Sequence, residues 1–199
     1  MRNKIIFGFI VGVPLIGILL YVGGYYPQAT INGAWVFKKD IDFELASVNR
    51  VAHTYQTLIQ KDVGDLTKQG ELKRLVIEKI IEDTLVAQTT HENPALENAA
   101  KEKMIAALDQ FKNYETDDLN QVSKVMYGMS FKEAKEKVLL PQARIDVIRE
   151  KYAGATSTSN LETEQTIGMF LQELKSNADI KFYFIPFRWD KEKLAAVQK

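Results

Sequence analysis

From Ile5 to Gly24 the chain carries no charged residue, and from Lys38 onward charges recur every few positions. A helix rises about 1.5 Å per residue, so the first run spans roughly 30 Å, the hydrocarbon thickness of a bilayer. The pattern predicts an uncleaved transmembrane anchor. A cleaved signal peptide has a shorter apolar region and a small-x-small site, and GGYYPQA offers no clear one. Tyr21, Tyr25 and Tyr26 end the run, where amphipathic rings favour the interface, and Pro14 is read as a tolerated kink. Arg2 and Lys4 precede it, so the positive-inside rule orients the chain. The expected localisation is the cytoplasmic membrane, single-pass, with the N-terminus in the cytoplasm and the C-terminal domain extracytoplasmic.

Beyond the anchor, periodicity predicts a mainly helical domain. Two short β-prone runs flank Asn32-Gly33, the dipeptide that suits a two-residue hairpin turn, giving a hairpin near 29–37. Asp40 then caps a helix whose apolar stripe is Ile41, Leu45, Val48, Ala52, Tyr55 and Ile59, ending near Gly64. A second helix from about Glu71 to Thr89 turns Leu72, Leu75, Val76, Ile80, Ile81 and Leu85 to one face. Asn93-Pro94 opens a third, Asn as N-cap and Pro at the first helical position. Its apolar side is Leu96, Ala100, Met104, Ala107, Leu108 and Phe111. Thr116 starts a short fourth helix that stops at Gly128. Ser130 and Glu133 form a capping box for a fifth, which Pro141 should break or bend.

Gly154 to Asn160 reads as a polar linker, and a sixth helix from roughly Glu162 to Ser176 presents Ile167, Phe170, Leu171 and Leu174. Ile180 to Ile185 reads as a strand able to pair with the hairpin near Ile31, and the charged tail from Asp190 is expected to fray. The domain plan is therefore a stub and anchor over 1–26 and a helical domain over 27–153. A linker over 154–161, a closing helix and strand over 162–187, and a tail over 188–199 complete it.

Composition narrows the function. The chain has 26 basic and 26 acidic residues, and that balance lacks the basic stripe of a nucleic-acid binder. It has no Cys, which rules out disulfides, thiolate zinc sites and Cys nucleophiles. His53 lies on a helix flank with no ligand partner at the next turn, and His91 sits between helices; both read as structural, since metal sites need several convergent donors. The carboxylate groups Asp40-Asp42-Glu44, Glu82-Asp83 and Asp117-Asp118 read as helix-start or solvated residues. No GxSxG, HExxH or P-loop is present. No catalytic residue, cofactor or metal is expected. What remains is apolar surface: Met126, Tyr127, Met129 and Phe131 around one turn, and Phe182, Phe184, Phe187 and Trp189 around the last strand. Flexible Met and aromatic side chains suit adaptable binding surfaces. Met126, Tyr127, Met129, Phe131, Phe187 and Trp189 are the candidate client-binding residues, with Phe187 and Trp189 expected to be the more exposed.

The order of Asn-Gly hairpin, long helix and LVIEKIIEDTLVAQ resembles the N-terminal domain of SurA-like and PrsA-like chaperones. Val76, Ile77, Glu78, Ile80, Ile81, Leu85 and Gln88 carry the match. Gly128, Met129, Ser130 and Phe131 resemble the family's turn before a later helix, and FLQELKSNADIKFYF resembles its closing segment. The resemblance covers roughly Ala29 to Phe184. It implies a SurA-N-like domain of five or six helices with a minor β element. Where many relatives insert a parvulin prolyl isomerase domain, this chain has only the linker, so the resemblance implies no isomerase activity. The implied function is a membrane-anchored extracytoplasmic chaperone or holdase for unfolded or newly translocated polypeptides. The alternative is a membrane-tethered scaffolding module for one fixed partner in an envelope or secretion complex. In either case tethering would raise the domain's effective concentration at the membrane surface.

Overall fold

The computed structural model describes residues 21–59, 69–153 and 160–199. Strands β1 (Pro27–Ile31) and β2 (Ala34–Phe37) form an antiparallel hairpin. Its turn residues Asn32 and Gly33 have φ of 47° and 81°, the left-handed values that a two-residue turn between twisted strands requires. Helix α1 (Lys38–Ile59) follows at once, and Asp40 accepts the backbone N–H of Phe37 at 3.0 Å to close its start. Helices α2 (Gln69–His91), α3 (Pro94–Asp109) and α4 (Thr116–Tyr127) come next. Asn93 caps α3 through its side chain, which accepts from Leu96 N–H, and Pro94 takes the first position.

The next helix is one rod in three parts: α5 (Phe131–Ala134), a π turn (Lys135–Leu139) and α6 (Leu140–Ala153). Ser130 and Glu133 make the reciprocal capping box at its start. Pro141 was expected to break or bend this helix. Instead the π turn lies immediately before it, with Leu140 N–H bonded five residues back to Lys135 C=O. Proline lacks an N–H and crowds the carbonyl four residues earlier, here that of Lys137. A widened turn at that position accommodates both demands, and such turns recur at functional sites.

Helix α7 (Asn160–Asn177) leads into β3 (Ile180–Phe182), which pairs antiparallel with β1 to give the order β2-β1-β3. Asn32 ties this arrangement together. It exchanges two hydrogen bonds with Asp179, at 2.8 and 2.9 Å, and donates to the Gln88 side chain of α2 at 3.1 Å.

Two expectations need correction here. The tail does not fray: β4 (Phe187–Asp190) and β5 (Ala195–Gln198) form a second antiparallel hairpin, and Ala196 is fully buried. The Asp190 carboxylate stabilises its turn by accepting the N–H groups of Glu192 and Lys193, both at 3.1 Å. The membrane-spanning fold and single-pass localisation are the second correction. Among the described residues no helix is long and apolar enough to cross a membrane, because each carries charged side chains on its outer face. The run from Ile5 lies, up to residue 20, outside the described residues, as do residues 154–159 of the linker. Membrane anchoring therefore drops out of the functional argument.

The main core lies between the sheets and α2. Ile31, Val36, Ile41, Ile77, Ile81, Ile180 and Phe187 are its larger buried members. Farther along α2, Val86 packs with Ile148 of α6 and with Ile167 and Phe170 of α7. A third cluster joins Ala100 of α3 to Ala143 and Val147 of α6. Helix α2 is thus the spine shared by the sheet end and the helical end. The small α3 and α6 residues allow close helix approach, locked by a bidentate ion pair between Arg144 and Glu97, at 3.0 and 2.8 Å.

Candidate functional site

Bordering these clusters, α1, α2, the α4–α5 turn and the π turn surround an open groove of about 560 Å³. Helix α1 lines it with Glu44, Ser47, Val48, Val51 and Ala52, spaced three and four apart and so on one face. The opposite wall is Val138 and Leu139 of the π turn with Pro141 and Ile145 of α6. Tyr127 and Met129 close one side. Gly128 sets their position: it caps α4 with φ +75°, and a Cβ there would lie 1.4 Å from the Arg50 guanidinium.

One rim is charged. Lys79 of α2 donates to Asp83 at 2.5 Å and lies 3.8 Å from Glu44. Burial works against the Lys79 ammonium, but Asp83 and Glu44 outweigh it and hold the pKa above the usual lysine value. Burial pushes the Glu44 carboxyl above its usual value; Asp83 adds to this, against the opposing fields of Lys79 and Lys137. Glu82 is closed by Lys175 at 2.5 Å, and the Lys137 ammonium sits 4.1 Å over the Phe43 ring.

This arrangement offers little for covalent chemistry. Ser47 and Lys79 share the groove, but a lysine held protonated cannot take a proton from a hydroxyl. Among the described residues no group of three His, Asp or Glu side chains could hold a metal ion. His53 is exposed on α1, and His91 Nδ1 lies 3.9 Å from Glu97, at the α3 seam rather than the groove.

Of the six candidate binding residues, the structure brings Tyr127 and Met129 into the groove. Met126 and Phe131 are half-buried beside it, and Phe131 N–H is taken by the Asn120 side chain at 2.9 Å. Phe187 and Trp189 are corrections. Phe187 is 4% exposed in the main core, and Trp189 packs against the same core. Their alternation with polar residues is the two-residue period of a strand with one buried face. The groove residues that the sequence reading missed are Glu44, Val51, Lys79, Val138, Leu139 and Pro141. Pro141 inside an otherwise helical pattern was the available signal.

No family model, no curated protein and no solved structure matches this chain. The resemblance to SurA-like and PrsA-like domains therefore rests on its motif residues alone. The membrane-anchored chaperone function drawn from it, and the membrane-tethered scaffold offered as its alternative, are set aside. No match supports either function, the described helices supply no anchor, and of the residues assigned to clients Phe187 is buried in the core and Trp189 packs against it.

Proposed function

We propose that this chain is a non-catalytic docking module whose groove seats an apolar segment of a partner polypeptide. The observation that carries the reading is the groove itself, an open, largely aliphatic trough between separate helices, with a π turn forming one wall. Aliphatic side chains with a methionine and a tyrosine accept apolar residues without demanding one shape, and a helix or extended segment can lie along such a trough. The charged groups gather at one rim instead of converging on a reacting atom, which suits recognition better than catalysis.

The test is fluorescence anisotropy of the full-length chain with a labelled twelve-residue peptide of leucine and glutamine. Saturable binding is expected, weakened at least about tenfold by Val51→Asp, since a buried unpaired charge costs more than 1.4 kcal/mol. Unchanged circular dichroism would show that the variant folds. Absence of saturable binding overturns the reading. Binding that Val51→Asp leaves intact overturns it as well, because the peptide would then sit elsewhere.

A further inference from the structure

Glu44 stands apart from the other carboxylates at the groove. Its side chain is 20% exposed, and the nearest cation, Lys79 Nζ, is 3.8 Å from Oε2, beyond hydrogen-bond reach. Lys79 is its one ion-pair partner among the described residues, and the contact is a loose one. The cations around it are shared with other groups. Lys79 donates to Asp83, and Lys137 rests on the face of Phe43. Glu82, one turn along α2 from Lys79, already has Lys175. A carboxylate partly withdrawn from water beside a loosely held cation is incompletely compensated, and burial disfavours its charged form. Within the groove, then, one carboxylate is only loosely paired beside an aliphatic floor.

We propose that the docked segment carries an arginine flanked by aliphatic residues, whose guanidinium closes on the Glu44 carboxylate while its neighbours cover Val48, Val51 and Leu139. The loose 3.8 Å contact with Lys79 leaves room for a closer partner at Glu44, and a planar guanidinium delivers two parallel N–H groups to a carboxylate, which an ammonium does not. The inference rests on the docking reading above and adds the chemistry of the segment. Partner segments with glutamate at that position are rejected, since two carboxylates would face each other in a poorly hydrated site.

The experiment compares three labelled twelve-residue peptides on the full-length chain: leucine with glutamine, the same with one central arginine, and the same with one central glutamate. The arginine peptide should bind about tenfold tighter than the glutamine peptide, the gain of a charge-assisted hydrogen bond in a partly dry site. Glu44→Gln should erase that gain, so that the arginine and glutamine peptides bind the variant with equal affinity. The glutamate peptide should bind most weakly. Equal affinity for the arginine and glutamine peptides, both sensitive to Val51→Asp, overturns the arginine assignment and leaves the docking groove standing. An arginine preference that survives Glu44→Gln also overturns the assignment. If no peptide binds, both readings fall together.

Discussion

Two withdrawn carboxylates, one at each end of the helical region, show how the same residue type is used differently. Glu97, in the first turn of α3, receives two hydrogen bonds from Arg144 and lies within 4 Å of Lys101 and His91. Hydrogen bonding to Arg144, ahead of the opposing effect of burial, holds its pKa below the usual glutamate value. Glu44, on the groove wall of α1, has its nearest cation at 3.8 Å and its pKa displaced upward by burial. The α3–α6 seam is a closed, fully paired joint. At the groove the one contact between Glu44 and a cation is loose, while its neighbours Glu82 and Asp83 are closely paired. The same residue type is thus locked by a bidentate partner in one place and held at longer range in the other.

The contrast can be broken by mutation. Arg144→Met removes the closed pair from one side and leaves Glu97 buried without its main partner. Chemical denaturation should show a loss of about 3–5 kcal/mol. A loss below about 1 kcal/mol would mean that the seam is no more tightly built than the groove. Gly128→Ala acts on the other region: it places a Cβ at positive φ and displaces the Arg50 guanidinium. A cost of about 1–2 kcal/mol is expected, together with weaker peptide binding as Tyr127 and Met129 shift.

Titration should give opposite slopes. For Glu97 the native pKa lies below the unfolded value of 4.5, so its stabilisation is complete above that value. It is lost as the pH falls through the lowered native pKa. For Glu44 the native pKa lies above 4.5. The folded protein therefore takes up this proton first as the pH falls, and the contribution of Glu44 to stability rises over the same descent. Denaturation curves of Glu97→Gln and Glu44→Gln against wild type from pH 7 to 3 should separate the two. Matching slopes would contradict the distinction. The smallest effect is that of Glu44→Gln at pH 7, which exchanges a desolvated charge for a neutral amide and should stabilise by less than about 1 kcal/mol. Marked destabilisation would show instead that the Lys79 contact is structural.

What the sequence made legible follows the range over which each feature is decided. The Asn32-Gly33 turn, the Asn93-Pro94 helix start and the Ser130–Glu133 capping box are settled within four residues, and all three stand in the structure. The β4–β5 hairpin escaped because its turn is built from Asp190 and a lysine- and glutamate-rich loop, with Leu194 at φ 49° where glycine would have signalled a turn. The groove escaped for a different reason. Val48 and Ala52 read as one more core stripe; Val48 does pack against the main core, and both also line the groove beside the point where α1 meets α4. Pro141 read as a break or bend in the helix, because the π turn that absorbs it depends on the whole rod continuing to Ala153.

The most direct test is a methyl-resolved NMR titration of the full-length chain, labelled at Ile, Leu and Val, with the arginine-containing leucine peptide. Saturable shifts should appear at Val48, Val51, Val138, Leu139 and Ile145, while Val86, Val147 and Ile148 in the closed clusters stay in place. Shifts confined to methyls outside the groove, such as the exposed Val122 and Val125 of α4, or no shifts at saturating peptide, would contradict the assignment of this groove as a docking site.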